Sequence, residues 1–425
     1  MTDPLADIES CPVHAIRPML PQLLAYPVAM NRRLREEAPV YQDPDSGIWF
    51  ISRYQDVVDM AMDHETFSSI MPFAGNGGAE GSVDPEVAAV MATGYPIPNT
   101  MLTQDPPLQR RYRKFVDGAF SPRSLKALEP FIEQTANELI DAFIDDGHVE
   151  FLSAFGVPLP LRVIASQIGC PMEDLPKLRE WTEAFIANLS QQLDQPGQVR
   201  AAKSMVECQH YFAERIEERR RQPTDDILSK LVNASIDGDK PLDTAECLSM
   251  LQQILVAGNE TTSSSFAEGM LLLIRNPEQY EIVRNDPSPE MISNLVEEVL
   301  RVSSPSANMF RRTTRDVELH GVTIPENSVC FARFGAANQD DERFPDPMKF
   351  DVTRPNLKEH VAFGKGVHHC LGAALSRREM NGGFKVIFER MENFRLTPGA
   401  PEPVFVPNAL LHGLSGIELS FDKIR

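Results

Sequence analysis

Residues 360–373, His-Val-Ala-Phe-Gly-Lys-Gly-Val-His-His-Cys-Leu-Gly-Ala, constrain the chain most. They place one cysteine in a turn of small and aromatic residues, directly before a helical pattern that starts near Leu371. Gly364 and Gly366 open backbone conformations that are closed to other residues. Cys370 then sits where a helix begins. The positive end of the helix dipole and nearby backbone N–H groups favour thiolate over thiol there. A buried structural cysteine in a Gly-rich turn is the alternative. The joint spacing of Phe363, Gly364, Gly366, His368, Cys370 and Gly372 within ten residues weighs against it.

The totals bound what surrounds this loop. At 425 residues, 42% hydrophobic and 24% charged, the chain can build a large core. Lys plus Arg is 41 against 61 for Asp plus Glu, a net charge of −20. That argues against nucleic acid or an anionic membrane as the main partner. The six cysteines (Cys11, Cys170, Cys208, Cys247, Cys330, Cys370) are scattered without a Cys-x-x-Cys pair. This excludes a disulfide framework or zinc site and suits a reducing compartment. The N-terminus is acidic and polar rather than leader-like, and the longest apolar run, 270–274, is too short to span a bilayer. A soluble, cytoplasmic monomer is expected.

Residues 1–30 are Pro-spotted and are expected to form an N-terminal surface segment, followed by one large domain over 31–425. The spacing predicts a helix at 31–37, strands at 40–41 and 48–52, and a helix at 54–63. Residues 71–104 carry Gly75, Gly77, Gly78, Gly81, Gly94, Pro96 and Pro98 and are expected to be a long functional loop. Helices dominate about 105–305 and 371–391. Strands are expected at about 38–52, 310–360 and 392–425. Among the helices, one opens on the cap pair Asp243 and Glu246 and runs to Asn276, where Pro277 stops it. It would span about 50 Å. The expected class is mainly α with small β-sheets (α+β), built around this long central helix.

That helix contains Ala257-Gly-Asn-Glu-Thr261-Thr. Gly258 costs about 1 kcal/mol in a helix interior, which invites a reason. The Thr261 hydroxyl can back-bond to the carbonyl of Ala257 and bend the helix, leaving a small polar notch beside the acid Glu260. A polar surface turn explains the same residues equally well. Glu298 and Arg301 lie i,i+3 on one helix face. Arg110-Arg-Tyr-Arg-Lys114 puts four cations in five residues, and a solvated basic face is the plain reading.

Taken together, the Phe-Gly-x-Gly-x-His-x-Cys-x-Gly loop, the Ala-Gly-x-Glu-Thr stretch and Glu-x-x-Arg resemble the soluble bacterial members of the cytochrome P450 family over about residues 30–425. The resemblance implies the cytochrome P450 fold, with the long helix over a haem b. Cys370 is then the axial iron ligand in a loop with Phe363 and Gly372. Thr261, with Ala257 beside it, organises water, and Glu260 relays protons for O–O cleavage. Glu298, Arg301 and Arg354 become a buried structural triad. His368, Arg311, Arg113 and Gln109 face the haem propionates, Gln109 standing where the family often has His. The implied activity is insertion of one atom of O2 into a small hydrophobic substrate, with electrons from NAD(P)H through a reductase and a ferredoxin. That ferredoxin would dock near Arg110, Arg111, Arg113, Lys114 and Lys365. By family position the substrate pocket draws on Tyr95, Met101, Leu102, Gln253, Val256, Ala307, Leu410 and Leu411, with Tyr95 and Gln253 the polar anchors. A peroxide-driven peroxygenase and a haem sensor without turnover are the rival readings. The paired Glu260 and Thr261 count against both.

Overall fold

A computed structural model describes residues 8–70, 84–189, 193–234 and 240–424. Packing divides the chain into two compact units. The first comprises the residues up to Ser68, then Glu129–Leu159, then everything from Thr261 on; the second comprises Ser69–Leu128 and Pro160–Glu260. Helices dominate, as expected, and the described strands gather into three small sheets.

Among the described residues all ten strands lie in the first unit: β1 (Val40–Gln42), β2 (Trp49–Ile51), β3 (Phe67–Ser68), β4 (His148–Glu150), β5 (Met309–Thr313), β6 (Val317–Leu319), β7 (Val322–Ile324), β8 (Val329–Ala332), β9 (Met391–Leu396) and β10 (Glu418–Lys423). The largest sheet runs β1-β2-β8-β5-β3. Its parallel β2–β8 pair sets Phe50 opposite Phe331, and the antiparallel β5–β8 pair sets Arg311 opposite Cys330. One face packs Trp49, Ile51, Val57, Phe67 and Val361. The second sheet is β4-β10-β9, and β6 and β7 form a hairpin. Strands stop at Ala332; the short helix Phe334–Ala337 and turns follow where β structure was expected to about 360. Pro345, Pro347 and Pro355 explain this, because proline cannot donate to a ladder.

Residues 8–30 do more than lie on the surface. Ile8, Ile16, Leu23, Leu24 and Met30 are buried with Leu34, Tyr41, Phe50 and Phe331 in one cluster. Their apolar spacing supplies burial that the scattered prolines obscured. Residues 71–83 of the expected functional loop lie outside the described residues. The rest of that stretch contains the helix Pro85–Met91, capped by Asp84, whose carboxylate accepts from the amides of Glu86 and Val87. Asp before Pro is a helix-start signature that the surrounding glycines outweighed.

In the second unit, the helix Gln195–Arg221 packs on Leu175–Leu189, with Trp181 against Tyr211 and Phe212. The long helix is unbroken over Thr244–Arg275. Its start is the reciprocal cap read from the sequence: the Asp243 amide donates to Glu246 at 2.9 Å, and the Glu246 amide to Asp243 at 2.9 Å. No described helix is long and apolar enough to cross a membrane.

Candidate active site

Cys370 follows the single turn Gly366–His368 and precedes the helix Ala373–Arg390. Its amide donates to the carbonyl of Phe363 at 2.9 Å and closes the loop. Gly364 and Gly366 have φ of +64° and +70°, the left-handed region that other residues avoid. A Cβ on Gly366 would lie 2.4 Å from the carbonyl oxygen of Ala61, so the loop backbone is pressed onto the end of the helix Tyr54–Met62. A Cβ on Gly372 would come within 3.9 Å of the Cys370 sulfur. Glycine there leaves that flank of the sulfur uncovered.

Cys370 differs from the buried cysteines of the chain. Burial pushes the Cys170 thiol up to about 11 and the Cys247 and Cys330 thiols up to about 12, which makes them inert. Cys370 is only half-buried and sits at a helix N-terminus, where backbone N–H groups stabilise negative charge.

A polar network braces the loop from behind. Arg377 grips Glu297 with two bonds of 2.6 and 2.9 Å, and its guanidinium carbon lies 4.5 Å from the centre of the Phe363 ring. His360 accepts the Ala362 amide at Nδ1, 3.2 Å, so Nε2 carries the proton it donates to Glu297 at 2.9 Å. Burial lowers the His360 imidazole against the opposing pull of Glu297. Burial alone would raise Glu297; its bonds to His360 and Arg377 outweigh that and hold it at about 2. Nothing in the local sequence marks this network, because its members are far apart in the chain.

Glu298, beside Glu297 on the helix Pro289–Ser303, is fully buried. It accepts from Arg301 Nε and Nη2, both at 2.8 Å, from Arg354 Nε at 3.4 Å, and from the Asp351 amide at 2.9 Å. Arg301 spends its remaining donors on the carbonyls of Asn338, Pro347 and Lys349. The triad that the resemblance implied is thus dry and saturated.

On the long helix the boundary between the two units falls between Glu260 and Thr261. In the first unit, Thr261 is half-buried, and its carbonyl accepts the Ser265 hydroxyl at 2.9 Å. Next to it, Thr262 meets Ser376 of the cysteine helix at 3.0 Å. Glu379, one turn further along the cysteine helix, is buried; burial pushes its carboxyl well up, against a bond from Thr262. The same unit holds Arg311, buried on β5 with Nη1 donating to the Phe310 carbonyl at 2.7 Å, and half-buried His368 and Lys365. A thiol at a helix start with one flank open, together with a buried Arg and a nearby His, is a donor set that fits an anionic haem.

In the second unit Glu260 is half-buried, and burial raises its carboxyl; Glu183 adds to the rise and Arg179 opposes it. A Cβ on Gly258 would meet Ile164 at an ordinary 3.6 Å, so packing does not demand glycine there. Gln109 is buried and Arg113 half-buried on the helix Leu108–Asp117. Arg111 does not serve as one of the four open cations. It pairs with Glu246 at 3.5 Å and donates to the Lys240 carbonyl at 2.9 Å. Tyr112 joins it on Glu246 at 2.9 Å, and burial together with that carboxylate pushes its phenol up to about 12. Arg110 and Lys114 are exposed and rim a depression of about 510 Å³ with Pro107 and Leu108.

The pocket candidates divide by unit as well. Gln253 is not open to a ligand: its oxygen accepts the Leu102 amide at 3.0 Å and its nitrogen donates to Thr100 at 2.8 Å. Tyr95 is held through its backbone by Gln209, at 2.8 and 3.1 Å, with its ring against His210. The Gln253 amide thus serves protein groups, as buried polar groups usually do, whereas the Tyr95 contacts involve its backbone and ring. Leu102 is 44% exposed, and Met101 and Val256 are half-buried. In the first unit, Leu410 packs into the N-terminal core cluster with Leu411 against it. Half-buried Ala307 accepts the Gly335 amide at 3.0 Å. For Leu410, core packing claims the side chain.

With this geometry established, similarity to known proteins places the chain. The Cytochrome P450 family profile matches residues 181–420. Cytochrome P450 107B1 of Saccharopolyspora erythraea is 35% identical over 409 residues, covering 93% of this chain and 96% of the relative. The 6-deoxyerythronolide B hydroxylase of the same organism is 34% identical over 322 residues, 76% of this chain and 78% of the relative. The solved structure of cytochrome P450 CYP109Q5 from Chondromyces apiculatus superposes with a TM-score of 0.84 at 32% identity, covering 97% of this chain and 100% of that one. The chain belongs to the cytochrome P450 family. It is accordingly a monooxygenase whose cofactor is haem b held by a cysteine thiolate.

Proposed function

We propose that Cys370 supplies the thiolate and that the chain hydroxylates or epoxidises a small hydrophobic molecule, using electrons from NAD(P)H passed through a ferredoxin reductase and a ferredoxin. The observation that carries this is the loop itself. Two left-handed glycines, the Phe363 carbonyl and the following helix set one half-buried thiol apart from the buried, raised thiols of Cys170, Cys247 and Cys330. When bound, the haem supplies O2 activation, and a thiolate ligand favours O–O cleavage. Arg311 and His368 neutralise its propionates, and family position adds Arg113 and Gln109 to that task. Glu260 holds a proton more readily than an ordinary carboxyl because it is buried. Thr261 orients water for that proton, and Glu260 passes it inward.

Exposed Arg110 and Lys114 make a local positive face on an acidic protein, which suits an acidic iron–sulfur partner. Half-buried Arg113 adds charge there, paired Arg111 adds little, and only family position brings Lys365 to the same task. The 6-deoxyerythronolide B hydroxylase relative sets a precedent for hydroxylation. The test is NADH-dependent product formation from terpenoids, aromatics, steroids and fatty acids that shift the haem spin state, with and without added ferredoxin and reductase. Turnover that needs the ferredoxin supports the reading. Turnover with peroxide alone favours the peroxygenase. Cys370→His must lose the red-shifted reduced-carbonyl Soret band; keeping it refutes the ligand assignment.

A further inference from the structure

The tail segment 405–414 is bound to the long helix by a buried pair that no motif announces. Glu268 and His412 are both largely buried, and His412 Nδ1 lies 3.4 Å from Glu268 Oε1. Neither atom has a hydrogen-bond partner among the described residues, so their approach is an ion-pair contact and not a hydrogen bond. Burial lowers the imidazole, but Glu268 and the carbonyls of Ala25 and Ser303 outweigh it, and the group ends raised. Opposite it, burial raises Glu268 and His412 opposes that rise. The two groups therefore face each other, largely buried, where the tail meets the long helix.

A second contact fixes the same junction. A Cβ on Gly413 would lie 2.3 Å from the Ser264 hydroxyl, so the chain at 413 lies directly on the helix. Thr261, Ser264 and Glu268 stand at i, i+3 and i+7, which is one helix face. The tail is thus fastened to the face that carries Thr261, starting one turn away and ending about 10 Å away. Within the tail, Asn408 Oδ1 accepts the amides of Leu410 and Leu411 at 2.9 and 3.0 Å. The His412 amide donates to Pro305 at 2.9 Å, and the His412 ring stacks on Phe405 at 4.3 Å. Leu411, the residue before His412, has little freedom to move while this pair holds.

We infer that Glu268 and His412 are a positioning pair: by fastening segment 405–414 to the Thr261 face of the long helix, they set where Leu411 stands as a wall of the substrate pocket and so determine which substrates fit. This rests on the reading of Leu411 as pocket-lining in a haem enzyme. Neither residue touches substrate or haem; both act through the tail.

The test uses the full, haem-loaded chain with Glu268→Gln and His412→Gln, and Glu268→Asp should the first fail to fold. Two readings are taken: hydrogen exchange of the amides in 405–414, and the ratio of dissociation constants for 4-phenylimidazole and imidazole from Soret titrations. Imidazole needs only the iron, whereas the phenyl ring also needs the wall. Each single variant should speed exchange in 405–414 at least about tenfold, as a local opening made easier. Each should raise the constant ratio at least about threefold, with the reduced-carbonyl band unchanged. The double variant Glu268→Leu with His412→Leu should recover protection, since an apolar pair can replace a buried ionic one. Unchanged exchange in the single variants overturns the inference. Faster exchange with an unchanged ratio also overturns it, because the pair is then merely structural. If imidazole itself fails to shift the Soret band of the unaltered chain, the haem reading falls first and the positioning role falls with it.

Discussion

Three glycines around Cys370 should respond to one added methyl group in a fixed order. Gly366→Ala combines two penalties. Its φ of +70° puts a side chain in the left-handed region, at about 1–2 kcal/mol. The new Cβ would also lie 2.4 Å from the Ala61 carbonyl oxygen and 3.2 Å from the Met62 Cα, both backbone atoms of a packed helix end. Relief requires moving the loop, an overpacking cost of about 1–3 kcal/mol. The sum, roughly 2–5 kcal/mol, is a large share of the roughly 5–15 kcal/mol that holds a typical protein folded. Gly364→Ala carries the left-handed penalty at φ +64°, but its nearest neighbour is the tip of the Phe334 ring at 3.4 Å, so about 1–2 kcal/mol is expected. Gly372→Ala has φ −80° and open space to the Cys370 sulfur at 3.9 Å, so it should stay within about 0.5 kcal/mol. The assay is the urea midpoint for loss of the Soret band, alongside the fraction of protein with a thiolate-type reduced-carbonyl spectrum. The expected order of damage is Gly366, then Gly364, then Gly372. Equal midpoints for Gly366→Ala and Gly372→Ala would refute the claim that the loop is seated on Ala61.

Other expectations follow from the same contacts. Glu298→Gln leaves the buried Arg301 without its charge partner, so thermal unfolding should show a loss of about 3–5 kcal/mol together with poor haem retention. Glu297 is depressed from 4.5 to about 2 by His360 and Arg377, so its contribution is present above 4.5 and is lost as pH falls towards 2. The stability difference between wild type and Glu297→Gln, followed by urea unfolding, should shrink over that window; a constant difference would count against the pairing. Reversing charge with Arg110→Glu and Lys114→Glu should slow ferredoxin-supported turnover most at low salt and leave peroxide-supported turnover alone. Arg111→Ala should act on stability instead, because that guanidinium is already committed to Glu246.

How far each feature could be read from the sequence follows the distance over which it is built. The cysteine loop is legible because its constraints are local: two left-handed glycines, one short backbone bond and a helix start all fall between 363 and 373. The cap pair Asp243 and Glu246 is legible for the same reason. The Glu298–Arg301 spacing was visible locally, whereas its burial with Arg354 followed only from the family resemblance. What dries it is Arg354, together with the carbonyls of Asn338, Pro347 and Lys349, which arrive from another part of the chain. Pocket assignments fared differently, since an apolar or amide side chain looks the same whether it faces a ligand or a neighbour. Gln253 turned to Thr100 and Leu102, and Leu410 turned into the N-terminal core. The Glu268–His412 pair is invisible in sequence, being a lone acid in a helix and a lone histidine near the C-terminus. The cysteine loop is built over short range, and the fastening of the tail is built over long range. Selectivity should respond to substitutions at Glu268 and His412 that leave every recognisable motif intact.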